Sequence, residues 1–114
     1  MGDITIKKAP TAEEIQSAEE ARITAELTRH IQEHLDATAQ QRRYDGILSL
    51  CTYATSVNAK FAAEGQAGVE WRDAVWAKGY ELLAQAQAGQ ISVPTKDDLI
   101  AMLPAFQWPD VASA

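Results

Sequence analysis

From residue 11 onward the spacing of apolar positions is helical almost throughout. Thr11 ahead of Ala12, Glu13 and Glu14 is a capping-box pattern, in which a hydroxyl accepts from a first-turn amide. Glu13, Glu14, Glu19 and Glu20 crowd the start of this helix, where the positive end of the backbone dipole favours acids. Ile15, Ala18, Ile23, Leu27, Ile31 and Leu35 then recur, mostly three to five residues apart, as a narrow apolar stripe on a polar rod. So thin a stripe suits one member of a helical pair or coiled coil better than a compact monomer. Leu27, Ile31 and Leu35 are therefore expected to face a partner, either a second copy or another protein. This helix is expected either to end near Asp36–Thr38 or to continue, since Ala39–Gln40–Gln41–Arg42–Arg43 holds no breaker; its segment is taken as 11–43, with Asp45–Gly46 as the first weak point.

The stripe restarts as Tyr44, Ile47, Leu48, Cys51 and Ala54 or Thr55, which predicts an amphipathic helix over that stretch. Ser56–Val57–Asn58 reads as a turn. A helix then starts near Ala59 or a few residues later and runs to about Ala88. Val69, Arg72, Trp76, Tyr80 and Leu83 line one side of it, and Ala67, Trp71, Ala74, Val75 and Leu82 another. Gly65, Gly68 and Gly79 interrupt it where alanine would be a better helix former, as expected if neighbours approach closely. Gly89 sits where a C-cap glycine belongs. After an extended link, Thr95 caps a last helix that Pro104 ends. Phe106 and Trp108 follow in a Pro-bounded tail, and two aromatics there are costly to leave wet, so the tail is expected to fold back on the helices.

These elements predict an all-α fold, a small bundle of three to four helices with a long amphipathic N-terminal helix. The organisation reads as an extended arm over 1–10, where Ile4 and Ile6 alternate with polar residues, an oligomerising helix over 11–43, an aromatic helical module over 44–109 and a flexible tail over 110–114.

With 114 residues there is room for one domain and one modest core. The net charge of −6 argues against a nucleic-acid partner, because phosphate binding needs clustered Lys and Arg. Arg42–Arg43 is a basic doublet that reads as a solvated helix surface. The lone cysteine, Cys51, excludes an intramolecular disulfide; on the apolar face it reads as a small buried hydrophobe. No apolar run approaches the length of a membrane span, and the first eight residues carry no apolar signal core, so neither a membrane nor secretion by that route is expected.

The chemical constellations are thin. His30–Ile31–Gln32–Glu33–His34 matches the H-x-x-E-H zinc pattern, with the imidazoles one turn apart, but a catalytic zinc also needs a third ligand and a cleft. The carboxylates of Asp45, Glu64, Glu70 and Asp73 form no evident acid–base pair. Arg72, near Trp71 and Trp76, is expected to stack on a ring or pair with an acid. There is no phosphate loop, no nucleophile–base arrangement and no cofactor pattern, so neither a catalytic residue, a metal ligand nor a cofactor is assigned. Trp71 and Trp76 are five apart and so fall on nearly opposite faces of their helix. Trp71, Arg72 and Trp76 are the expected anchors of a protein interface, where binding energy concentrates in Trp and Arg.

Tyr44–Asp45–Gly46–Ile47, Cys51–Thr52–Tyr53–Ala54, Phe61–Ala62–Ala63–Glu64–Gly65–Gln66–Ala67, Trp71–Arg72–Asp73–Ala74–Val75–Trp76, and Pro94–Thr95 before Leu99–Ile100–Ala101–Met102–Leu103–Pro104 occur in this order. That order resembles the C-terminal module of small tailed-bacteriophage proteins encoded beside tail-fibre genes, described as tail or tail-fibre assembly proteins. The resemblance covers roughly the last 65 residues and carries no catalytic residues. It implies protein–protein work with a tail-fibre or baseplate protein, as an assembly chaperone in the host cytoplasm or as a component of the virion tail. The rival expectation within the same setting is a small acidic protein that binds and inhibits a host protein.

Overall fold

The computed structural model describes residues 9–110. The arm expected over 1–10 and the tail expected over 110–114 fall outside these residues, apart from Ala9, Pro10 and Asp110. Every regular element described is helical: α1 (Ala12–Gln40), α2 (Ile47–Thr52), α3 (Ala59–Gln87) and α4 (Lys96–Met102), with a 3-10 turn over Tyr53–Thr55 after α2. This is the small all-α bundle with a long N-terminal helix that the patterning predicts.

Three of the four helices start at side-chain caps. The hydroxyl of Thr11 accepts from Glu14 N–H at 3.1 Å, Asn58 Oδ1 from Phe61 N–H at 3.0 Å, and Thr95 Oγ1 from Asp98 N–H at 3.2 Å. Each satisfies a first-turn amide that the helix itself leaves unbonded, a contribution of about 1 kcal/mol.

α1 and α3 run antiparallel. Gln87 at the end of α3 donates to the Thr24 hydroxyl at 3.0 Å, and Glu64 near the start of α3 meets Arg42, beyond the end of α1. One core lies between them and takes side chains from both sides of residue 43: Leu27, Ile31, Leu35, Leu50, Val75 and Leu99 among others. Leu27 and Ile31 are 3% exposed and Leu35 is fully buried. This corrects the expectation that these three face a partner. Their stripe is narrow because its counterpart is narrow too. The inner face of α3 is Gly65, Gly68, Trp71, Val75, Gly79 and Leu82, all buried, and its glycines admit bulk from elsewhere in the chain. A β-carbon at Gly79 would lie 2.7 Å from Ile31 Cδ1, and one at Gly68 would lie 2.8 Å from Leu50 Cδ2. At Gly65 it would overlap the backbone of Tyr53 and Ala54, so there a whole chain segment crosses against the helix.

α1 stops at Gln40, between the two ends the sequence left open, although nothing in Ala39–Arg43 is a breaker. It closes in a Schellman pattern. Tyr44 N–H bonds the Ala39 carbonyl at 3.4 Å and Arg43 N–H bonds the Gln40 carbonyl at 3.1 Å, with Arg43 at φ +71°. An arginine thus occupies the left-handed position that glycine usually takes. α3 ends in the same pattern at the predicted residue, with Gly89 at φ +74°.

The helix expected from Tyr44 to Thr55 is shorter, and its inner face differs. Gly46 passes close to the Asp36 carboxylate, whose Oδ1 accepts from Ile47 N–H at 2.9 Å and so starts α2 one residue later. Ile47 and Leu50 then point inward, and Leu48 is left 72% exposed. The C-terminal tail folds back as expected. Trp71 Nε1–H donates to the Pro104 carbonyl at 2.7 Å and Trp108 Nε1–H to Gln41 Oε1 at 3.2 Å.

Candidate functional site

The end of the bundle where α1 stops and α3 begins gathers the chemistry. A cavity of about 300 Å³ lies there between the α1–α2 turn, the 3-10 turn and the first turn of α3. Its lining includes Arg42, Arg43, Tyr44, Tyr53, Phe61 and Glu64, with Lys60 and Asp45 at the same mouth. Each reaches it for a local reason. The Schellman turn reverses the chain after α1 and brings in Arg42 to Asp45. The close approach at Gly65 brings in Tyr53. The Asn58 cap fixes where Lys60 and Phe61 leave the helix.

The floor is an ion pair with its acid buried. Glu64 is 2% exposed, with Oε2 accepting from Arg42 Nη1 at 2.7 Å and Oε1 from the Tyr44 hydroxyl at 2.8 Å. Both carboxylate oxygens are thus satisfied, which burial of a charge requires. Burial, with the adjacent Glu64 charge, pushes the Tyr44 phenol up to about 12, so it stays a donor across the physiological range. The Arg42 guanidinium lies over the Trp108 ring, 5.0 Å from its centroid. Arg42 thus both pairs with an acid and stacks on a ring, and it is not a merely solvated member of a doublet.

The rings connect into a chain from core to rim. His34 meets Trp71 edge-on at 5.7 Å, Trp71 meets Phe106 at 4.8 Å, and Phe106 meets Trp108 at 4.7 Å. Trp108 stacks on Tyr44 at 6.2 Å, Tyr44 meets Tyr53 at 5.3 Å, and Tyr53 meets Phe61 at 5.7 Å. Such contacts add roughly 0.5–1.5 kcal/mol per pair beyond burial and hold the rim rigid. The rim itself is wet. Tyr53 and Phe61 are exposed in it, and Leu48 and Val57, outside the lining, are exposed as well, Val57 fully so. Arg43 and Lys60 make no salt bridge among the described residues, whereas Arg22, Arg29, Arg42, Arg72 and Lys78 each pair with an acid.

The expected anchors divide. Trp71 is buried against Phe106 and belongs to the core, because its indole N–H is spent on Pro104. Trp76 is half-buried and packs on Tyr80, itself 66% exposed, with centroids 5.9 Å apart. Arg72 is half-buried and sits 3.8 Å from Asp73. Arg72, Trp76 and Tyr80 recur four apart and make one outward stripe.

His30 and His34 do not form a metal site with a third residue. Among the described residues no group of three or more His, Cys, Asp or Glu is arranged to hold an ion. His34 is turned to Trp71, and burial pulls its imidazole below the usual histidine value. The Cys51 thiol is half-buried, and burial pushes it above its ordinary value, so it is a poor nucleophile. Among the described residues no helix is long and apolar enough to cross a membrane.

The sequence reading missed Glu64 and the arginine it holds. One signal was available: Glu64 shares the face of Gly68, Trp71 and Val75, and an acid on a buried face must have a cationic or hydroxyl partner. Comparison with known proteins adds nothing further, since no family model, curated protein or solved structure matches the chain.

Proposed function

We propose that this chain is a non-enzymatic protein-docking module that works as a tail-fibre assembly factor or minor tail component of a tailed bacteriophage. The observation that carries the docking half is the bulk left at the surface of a rigid frame. Tyr53, Phe61, Leu48 and Val57 at one end, and Tyr80 beside Trp76 on the flank, are exposed although the protein has a closed core. Exposed aromatic clusters beside arginine have the composition of interface hot spots. The flank stripe, Arg72–Trp76–Tyr80, is the surface assigned to the fibre or baseplate protein. The phage setting rests on the order of short motifs between Tyr44 and Pro104, and it places the work in the host cytoplasm during assembly or in the finished tail.

Co-expression with the product of the adjacent tail-fibre gene tests this reading. A soluble fibre protein that co-purifies with the chain, and that is lost with Trp76→Ala and Tyr80→Ala together, is the expected result. Capture of a host enzyme with no effect on the fibre would favour the inhibitor reading, for which the acidic surface is the supporting feature.

A further inference from the structure

The two ends of the α1–α3 pair are chemically opposite. At the pocket end, Arg43 and Lys60 make no ion pair among the described residues and lie beside Tyr53 and Phe61, and the carboxylate of the floor, Glu64, is already neutralised by Arg42. Asp45 is the remaining acid in that lining. At the far end, α1 outruns α3. The bond from Gln87 to Thr24 marks the last turn of α3, and the first turns of α1 extend beyond it, with Ala12, Ile15 and Glu19 lining a shallow groove whose other wall is Ala86 and Gln87. Glu13, Glu14 and Glu19 are exposed there, and Ile15 is 56% exposed on the same turns. One end is thus a cationic, aromatic socket and the other an acidic helix with an apolar side chain uncovered.

Arg43 strengthens the asymmetry. It holds a left-handed backbone at φ +71°, which costs an arginine about 1–2 kcal/mol and which glycine would adopt freely. A strained residue that keeps a charged side chain at the mouth of a pocket is a pointer to function.

We infer that the socket receives the first turns of α1 from a second copy, so that the chain associates head to tail. The contact deepens the docking reading for that end of the molecule and does not depend on the phage setting or on the flank stripe. Glu14 of one protomer meets Arg43 and Lys60 of the next, Ile15 on the adjoining face of the turn lies against Tyr53 and Phe61, and Glu13 adds charge from the outer face. Because the two patches differ, the contact is heterologous, and each added copy presents a fresh socket. A second copy is the occupant favoured here because the chain itself displays a segment of complementary charge and apolar content, exposed and already helical. The stripe of Leu27, Ile31 and Leu35, the earlier candidate for self-association, is closed off in the core.

Sedimentation of the purified full chain across a concentration series tests the inference. Mass should rise with concentration and fall as salt is raised. Arg43→Glu with Lys60→Glu, and separately Glu13→Lys with Glu14→Lys, should each weaken association by about tenfold or more, since like charges then face each other. An equimolar mixture of the two double variants should recover it, because each then supplies the end that the other has reversed. Circular dichroism checks that both variants fold; all four positions are exposed, so they are expected to. A chain that stays monomeric at every concentration overturns the inference, as does self-association indifferent to the socket variant. If a labelled peptide spanning Pro10 to Arg22 binds the socket while the full chain stays monomeric, the socket belongs to a foreign acidic segment and the second-copy assignment fails. None of these outcomes alters the fibre co-purification test, so the two readings fail separately.

Discussion

Arg42 and Glu64 lie 22 residues apart in sequence and 2.7 Å apart in space, and they are unequal partners: the Arg42 side chain is 42% exposed and that of Glu64 is 3% exposed. Removing one is therefore not equivalent to removing the other. Arg42→Ala strands a buried carboxylate with only the Tyr44 hydroxyl, a cost of about 3 kcal/mol or more. Glu64→Gln leaves Arg42 free to turn to water and keeps one acceptor for Tyr44, a cost of about 1–3 kcal/mol. Urea unfolding of the two variants should rank Arg42→Ala as the less stable. Equal midpoints would mean that Glu64 is hydrated and the pair is a surface contact.

Arg43 should be replaceable with a gain in stability. Arg43→Gly relieves the left-handed strain while the two Schellman hydrogen bonds stay, so stability should rise by up to about 1 kcal/mol, read as an increased urea midpoint at unchanged slope. The same variant should weaken self-association. Stability and docking moving in opposite directions would mark Arg43 as retained for its side chain.

Gly65 and Gly79 should differ under the same substitution. Alanine in a helix is intrinsically better than glycine by about 1 kcal/mol. At Gly79 the obstacle is the tip of Ile31, which can rotate away. At Gly65 it is the backbone of Tyr53 and Ala54, which cannot move without disturbing the 3-10 turn. Gly65→Ala should cost about 1–3 kcal/mol or more, and Gly79→Ala clearly less. Thermal melts of the pair give the comparison.

How much of this was legible in the sequence depends on the range of the interaction. Caps at Thr11 and Thr95, the turn at Ser56–Asn58, the stop at Gly89 and the return of Phe106 and Trp108 are local matters of hydrogen-bonding chemistry or solvation, and they read correctly. The end of α1 stayed open in the sequence, because its stop is a non-glycine residue, Arg43, in the left-handed conformation. The inward face of α2 was read in part: Tyr44, Ile47 and Cys51 do lie against the core, but Leu50 is buried and Leu48 is not, because the Asp36 carboxylate, eleven residues from Ile47, sets where that helix begins. The role of Leu27, Ile31 and Leu35 was not decidable from one helix alone. A narrow stripe looks the same whether its partner is another chain or a glycine-lined face of the same one. Trp71 and Trp76 show both sides of this: their opposite faces were predictable from spacing, but the buried one could be identified only once Pro104 and Phe106 had been placed beside it.

Mild acid should loosen the chain at His34. Burial beside Trp71 lowers its pKa in the folded protein below the ordinary value, so the unfolded chain takes up the proton first. The stabilisation from keeping this imidazole neutral is fully present above the ordinary histidine value. It is lost as pH falls through the lowered folded value. A histidine NMR titration should find His34 ionising below pH 6.5, about the ordinary histidine value. His34→Phe should remove part of the acid sensitivity of the unfolding midpoint. A His34 that titrates above that value would place it in water or beside an acid.

The claim on which the account turns is that exposed rings on a rigid helical frame are there to meet protein. Hydrogen-exchange mapping of the chain in complex with the co-expressed tail-fibre protein tests it most directly. Slowed exchange along α3 around Arg72, Trp76 and Tyr80, together with a stoichiometric complex, is the expected result. Failure to form any complex, or protection confined to the polar outer face of α1 around Ala25, Thr28 and Gln32, would contradict it.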